Sequence, residues 1–438
     1  MKRLGVILCL LTSVILLFVG CSKKKETEDL ESSTNQKNTG SLEKIEGVWD
    51  GSIHIPNQPL PIIVTFNKND GTISIPIQGI SDYPLTSVNL NNPNVSFDMD
   101  IQGQRITFDG KVDSEKITGT FTQQGQSFPF ELTKGSEEEV KEDANFVQVK
   151  LKDGTMLGQL EIPQGEGPFP LIVIIAGSGP TDGDGNSLAL PGKNNSLKML
   201  AENLAAEGVA SIRYDKRGVG KNSSLGGKEE ELRFDQYIDD AAAWVQFAKD
   251  DERFSKVGII GHSEGSLIGM VAAKKTESDA FISIAGAGRP IDQILMEQLE
   301  TQLPANLIEE SRIILDKLKQ GEQVPTVSQE LQSLFRPSVQ PYMISWLKYD
   351  PAEQLQKLNS PVLLVNGSLD IQVPITDAQL LHNAKKESEL LIIEKMNHVL
   401  KEAPEDREGN IATYSNPDLP LAEGLMDGIV DFLKKNIQ

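Results

Sequence analysis

The pentapeptide Gly261-His262-Ser263-Glu264-Gly265 sets a serine two residues from a glycine on each side. It lies between an apolar run, Val257–Ile260, and a stretch with helical spacing, Ser266–Lys274. A chain that turns from strand to helix this abruptly holds its central residue at a crowded backbone angle, and flanking glycines remove the Cβ clashes. A serine there projects its hydroxyl past the carboxyl end of the strand, where it can act as a nucleophile. In a chain with 37 glycines the spacing alone is a weak signal. Its place between strand and helix carries the argument.

A serine hydroxyl attacks well only when a base takes its proton. The chain offers four histidines. His54 lies in an N-terminal segment of short strands. His262 adjoins the serine and is expected to point the other way along the strand. His382 falls in the helix-like run Ala378–Ala384. His398, in Met396-Asn397-His398-Val399, follows a late strand and precedes the last helix, which makes it the candidate base. The acid that orients it belongs between the two in the chain. Asp370, in the loop after the strand Val362–Asn366, is the candidate; Asp377, beyond Pro374 in the next predicted helix, is the rival. Acyl transfer also needs two N–H donors for the oxygen that becomes negative. The backbone N–H of Glu264 is the first. The second is assigned to Ser178 in Gly177-Ser178-Gly179-Pro180, after the strand Leu171–Ala176.

Other chemistries find less support. Thr181–Asn186 resembles a calcium loop, but Ser187 stands where the sharp-turn glycine belongs and Lys193 where a bidentate glutamate is needed. Gly218-Val219-Gly220 is too little for a phosphate cradle, so the loop Tyr214–Gly220 is read as ion-paired, near the rim of the site. No metal and no cofactor are expected. The two cysteines are Cys9 and Cys21, which leaves the mature chain without a disulfide or a thiol nucleophile. A formal charge of −21 argues against nucleic acid as a partner.

These residues must be positioned by a scaffold, and 438 residues imply more than one domain. Residues 146–438 alternate apolar strands with amphipathic helices, an α/β pattern that predicts a mostly parallel sheet. Helix-like residues 290–358 interrupt it as a cap over the carboxyl edge. Residues 45–134 show short alternating runs with turn signals about every eight to twelve residues, predicting an all-β sandwich or small barrel. Residues 135–145, with Glu137, Glu138 and Glu139 in a row, read as a linker, and 21–44 as a disordered tether. Residues 1–20 carry Lys2 and Arg3 before an apolar run, which reads as a signal peptide. The ending Phe18-Val19-Gly20-Cys21 resembles a bacterial lipoprotein signal, with Cys21 the lipidated residue. The alternative is an uncleaved anchor, for which the run is short. Both put the chain outside the cytoplasm, and acyl chains on Cys21 would hold it at the cell membrane.

Together, Ala176–Asn186, Arg213–Gly218, Gly261–Gly265, Asp370 and Asn397-His398 resemble EstD-type bacterial carboxylesterases of the α/β-hydrolase superfamily. The cap segment Arg336–Tyr342 fits that group as well. The resemblance implies hydrolysis of short-chain acyl esters, with Ser263, Asp370 and His398 as the triad. It also places Ala176 where many relatives carry a histidine, so no side chain there can assist the oxyanion. Gly47-Val48-Trp49-Asp50-Gly51 is similar to the start of modules that precede hydrolases in secreted chains. The expected function is therefore that of a serine carboxylester hydrolase working through an acyl-enzyme. The alternatives are a serine peptidase or acyltransferase on the same fold, and a catalytically silent envelope-binding lipoprotein.

Overall fold

Every second side chain of Leu60–Phe66 is buried in the computed structural model, the mark of a strand with one wet face. The structure describes residues 42–55, 60–68, 70–75, 80–101, 104–123, 125–134, 145–187 and 192–438. The signal peptide, Cys21, the tether up to residue 41 and linker residues 135–144 lie outside the described residues. What is described falls into two compact units divided between residues 134 and 145.

The first unit contains β1 (Gly47–Ile53), β2 (Leu60–Phe66), β3 (Gly71–Ile75), β4 (Ile80–Pro84), β5 (Ser87–Asn91), β6 (Asn94–Ile101), β7 (Gln104–Asp113), β8 (Lys116–Gln123) and β9 (Gln126–Lys134). They form one nine-stranded antiparallel sheet in the order β4-β3-β2-β1-β9-β8-β7-β6-β5. The sequence left a sandwich or a barrel open, and the architecture is a half-barrel built from that single sheet. Its inner face buries Trp49, Phe66, Phe97, Phe108 and Phe130, with the Phe97 and Phe108 rings stacked at 4.6 Å. Leu42, at the end of the expected tether, belongs to this core, and Trp49 Nε1 donates to the Ile45 carbonyl at 2.7 Å.

The second unit contains β10 (Phe146–Leu151), β11 (Gly154–Glu161), β12 (Phe169–Ile175), β13 (Ala210–Arg213), β14 (Phe254–His262), β15 (Ala280–Ile284), β16 (Val362–Gly367) and β17 (Glu389–Ile393). The sheet order is β10-β11-β13-β12-β14-β15-β16-β17, antiparallel at the β10–β11 and β11–β13 pairs and parallel from β13 onward. Its helices are α1 (Ser196–Ala206), α2 (Phe234–Lys249), α3 (Glu264–Thr276), α4 (Ile291–Glu300), α5 (Ala305–Lys319), α6 (Gln332–Phe335), α7 (Gln340–Trp346), α8 (Pro351–Gln356), α9 (Ile375–Ala384), α10 (Arg407–Ala412) and α11 (Leu425–Asn436). Central strands such as β15 are buried along their whole length because helices cover both faces of the sheet. Leu200, Leu204, Ile429 and Leu433 of α1 and α11 pack on one face. Trp244, Ile268 and Leu381 of α2, α3 and α9 pack on the other. The last helix begins at Leu425 rather than at Leu421 as the periodicity suggests, because Leu421 bridges to Lys401 and Gly424 takes a positive φ of 81°.

Between β15 and β16, α4 to α8 form the inserted segment. Leu307, Ile314, Leu318, Phe335 and Met343 give it a small core of its own. α7 also joins the main core: Trp346 stacks on Phe234 of α2 at 5.4 Å, and Tyr342 packs against Trp346 at 5.7 Å.

Candidate active site

Ser263 sits between the end of β14 and the start of α3 with φ 55° and ψ −122°. A residue with a side chain pays of order 1–3 kcal/mol for such a conformation, so the surroundings must over-determine it. They do. The Ser263 N–H donates to the Ile284 carbonyl at 2.9 Å. A Cβ on Gly261 would fall 2.2 Å from the Gly265 carbonyl oxygen, and one on Gly265 would fall 2.4 Å from the Ile175 carbonyl oxygen. A side chain on Gly261 would push β14 off the start of α3, and one on Gly265 would push α3 off the end of β12.

Asp370 and His398 come from the loops after β16 and β17, and the sheet brings them together. His398 Nδ1 donates to Asp370 Oδ2 at 2.8 Å, with side-chain exposures of 6% and 0%. Asp370 Oδ1 accepts the N–H groups of Gln372 at 2.8 Å and Val373 at 2.9 Å, so both carboxylate oxygens are occupied and its orientation is fixed. With Nδ1 carrying the proton, Nε2 is the basic nitrogen. The two loops are also tied to each other: Asn397 Nδ2 donates to Asn410 Oδ1 at 3.2 Å, and Asn410 Nδ2 donates to the Leu369 carbonyl at 2.9 Å. Asp377 is engaged elsewhere. It accepts two bonds from the Arg289 guanidinium, at 3.1 and 2.9 Å, and one from the Gly288 N–H at 2.9 Å. That pairing ties α9 to the start of the inserted segment.

Among the described residues, no hydrogen bond joins the Ser263 hydroxyl to the His398 ring. The ring of His262, the residue immediately before Ser263, has its centre 4.9 Å from that of His398. Serine–histidine bonds of hydrolases are commonly long until a substrate is bound.

His262 departs from its expected orientation. Its ring reaches toward the His398 loop, and Nε2–H donates to the His398 carbonyl at 2.8 Å. β14 includes His262 and ends there, so the strand alternation behind that expectation does not extend to Ser263. Burial, with the neighbouring His398 second, pushes the His262 pKa down from 6.5 to about 4. Between those values the unfolded chain binds a proton that the folded chain refuses, so stability falls as acid is added through that window. The loss amounts to roughly 3 kcal/mol by pH 4. In His262→Gln, whose amide can keep the bond to the His398 carbonyl, this dependence should vanish. Urea unfolding at pH 7 and pH 4 should therefore show the wild type's advantage over the variant shrinking in acid. A pH-independent difference would contradict the buried neutral ring.

Of the two N–H groups expected to meet an oxyanion, one belongs to Glu264, the residue after Ser263, and the other to Ser178, in the loop after β12. Glu264 opens α3, so its N–H is one of the first-turn donors that a helix leaves unpaired. Ser178 follows Gly177, on which a Cβ would fall 3.2 Å from Ser263 Cβ. Neither N–H has an acceptor among the described residues.

Motif reading missed the side chains behind these groups. Lys216, expected near the rim, is buried: Nζ donates to the Gly177 carbonyl at 3.0 Å and to Glu264 Oε1 at 3.3 Å. Tyr342 of α7 donates its hydroxyl to the same Glu264 oxygen at 3.0 Å. Arg217, next in the chain, pairs bidentately with Asp240 at 2.9 and 2.7 Å and reaches Asp153 at 2.7 Å. Removing one partner of such a buried pair costs about 3–5 kcal/mol, because the other charge is left uncompensated. Asp182, in the loop that resembles a calcium site, spends its carboxylate on the N–H groups of Asp184 and Asn186 and on the Asn186 amide, closing a turn.

Residues 193–404 match the family described as serine aminopeptidase, S33. The chain is 27% identical over 294 residues to esterase EstD of Thermotoga maritima, an alignment covering 65% of this chain and 66% of that protein, just under two thirds. It is 24% identical over 260 residues to rhodomycin D methylesterase DnrP of Streptomyces peucetius, covering 50% of this chain and 86% of the relative. Among solved structures, Est1E from Butyrivibrio proteoclasticus aligns over 66% of this chain and 99% of its own, at 17% identity and a TM-score of 0.43. The sheet order, the helices on both faces and the inserted segment after β15 make the second unit an α/β-hydrolase fold, preceded in the chain by an antiparallel β half-barrel.

Proposed function

We propose that this chain is a serine hydrolase of short-chain carboxylic esters, with Ser263 as nucleophile, His398 as base and Asp370 as the group that orients the base. The observation that carries the reading is the 2.8 Å bond from His398 Nδ1 to the buried side chain of Asp370, in a fold where Ser263 occupies a strained strand-to-helix turn. In the first step His398 Nε2 takes the Ser263 proton as Oγ bonds to the ester carbonyl carbon. The carbonyl oxygen becomes negative and accepts from the N–H groups of Glu264 and Ser178. Collapse of this intermediate breaks the bond to the alcohol oxygen, which leaves with the proton from His398. Water then repeats the cycle on the acyl-enzyme and releases the acid. Asp370 holds the Nδ1–H tautomer and offsets the charge that His398 acquires.

Two related proteins are named as an esterase and a methylesterase, which supports an ester as the substrate. The reading also sets the enzyme at the outer side of a cell membrane, held by acyl chains on Cys21. Its support is the order of basic, apolar and small residues before that cysteine. A second reading, a peptidase that forms the same acyl-enzyme from an amide, is favoured by the serine aminopeptidase pattern over residues 193–404.

A substrate panel separates the two. p-Nitrophenyl acetate and butyrate are expected to turn over faster than aminoacyl p-nitroanilides and thioesters, and a fluorophosphonate should label the folded protein. Preference for the anilides would assign a peptidase. Absence of labelling would favour a binding protein without catalysis.

A further inference from the structure

Lys216 and Glu264 form a buried ion pair, with side-chain exposures of 5% and 4%. The Lys216 ammonium has three neighbours: the Gly177 carbonyl at 3.0 Å, the Glu264 carboxylate at 3.3 Å and the face of Tyr237, whose ring centre is 4.4 Å away. Compared with apolar packing, a buried ion pair adds little net stability, so its distinctive effect is directional. Its two hydrogen-bond partners belong to the peptide that carries the Ser178 N–H and to the residue that carries the Glu264 N–H. We infer that Lys216 is a positioning residue for the oxyanion site, an inference that rests on the serine-hydrolase reading above.

Two effects follow from the geometry. The Gly177 carbonyl and the Ser178 N–H belong to one planar trans peptide and point in opposite directions. An ammonium that holds the carbonyl therefore fixes the direction of the N–H, and by polarising the peptide it makes that N–H a stronger donor. The second effect concerns charge. The Glu264 carboxylate lies on the residue whose N–H would meet the developing negative oxygen, and an unneutralised carboxylate there would oppose that charge. Lys216 cancels it. Together with the Tyr342 hydroxyl, it also holds the carboxylate off the N–H groups at the start of α3. Both effects act on the tetrahedral state and leave ground-state binding of the ester largely untouched.

The test compares Lys216→Met with the double variant Lys216→Met/Glu264→Gln, in which no uncompensated charge is buried. Urea midpoints establish that the proteins are folded, and the double variant carries the test where the single one is unstable. Readouts are kcat and KM for p-nitrophenyl butyrate, and inhibition by butylboronic acid, whose serine adduct sets an oxygen in the oxyanion site. Lys216→Met should lower kcat about 100-fold and the double variant about tenfold, each with KM within a few-fold, where outright loss of one donor costs 10²–10³. Boronate affinity should fall in step with kcat. If the wild type hydrolyses esters and is labelled by fluorophosphonate while the double variant keeps wild-type kcat and boronate affinity, the positioning role is wrong and the hydrolase reading stands. A rise in KM alone would also overturn the role. A wild type that neither turns over acyl substrates nor reacts with the probe would remove both.

Discussion

Ser263→Ala is expected to lower kcat for p-nitrophenyl butyrate by roughly 10⁵–10⁶-fold, with KM within a few-fold of wild type. The size follows from the role. Without Oγ there is no acyl-enzyme, and what survives is the modest help of the N–H donors and of substrate binding toward direct attack by water. Alanine accepts the backbone angle of residue 263 no better and no worse than serine, and the Ser263 N–H bond to Ile284 is unaffected. The variant should therefore unfold at nearly the wild-type urea concentration, which separates loss of chemistry from loss of fold. Steady-state kinetics together with loss of fluorophosphonate labelling checks this. Turnover at the wild-type rate would end the assignment of Ser263.

Asp370→Asn should lower kcat by about 10⁴-fold, the cost of presenting the wrong imidazole tautomer. The structure says why asparagine cannot substitute. Oδ1 of residue 370 accepts the N–H groups of Gln372 and Val373, so the amide oxygen must take that side and its NH₂ must face His398 Nδ1. An NH₂ there donates to Nδ1, which moves the imidazole proton to Nε2, where a lone pair is needed to accept from Ser263. The loss should appear in kcat and should be partly relieved at high pH, where hydroxide replaces the general base. Asp377→Asn is the control. It loosens the Arg289 pairing of α9 with the inserted segment and should cost stability, while most of kcat is kept. If instead Asp377→Asn alone reproduced the loss, the orienting acid would move to that residue.

The sequence carried a good deal of this arrangement because the relevant signals are local. A strand-to-helix turn with glycines two residues either side of a serine is dictated by sterics among adjacent residues, and the alternation from residue 146 onward specifies strands, crossovers and hence a parallel sheet. The apolar spacing predicts a strand over Phe146–Leu151 and a helix over Phe234–Ala248; β10 occupies the first run and α2 the second with one further residue, Lys249. The half-barrel was legible only as an all-β unit. Short alternating strands say which face is wet, whereas whether one sheet curves around its own core or two sheets stack depends on pairings between distant strands.

What the chain marked by itself is a set of candidate residues and their order along the sequence: a serine at a turn, then a carboxylate, then a histidine. Only the tertiary structure decided which carboxylate faces His398, that His262 turns toward the His398 backbone, and that Lys216 and Tyr342 meet at the Glu264 carboxylate. Asp370 and Asp377 stand seven positions apart on the same strand–loop–helix unit, so local pattern barely separates them. The register of β16 against β17 and the docking of α9 on Gly288 and Arg289 do. Lys216 and Tyr342 reach Glu264 across sequence separations of 48 and 78 residues. Contacts at that range come from how strands stack and where the inserted segment packs, and no run of neighbouring residues encodes them.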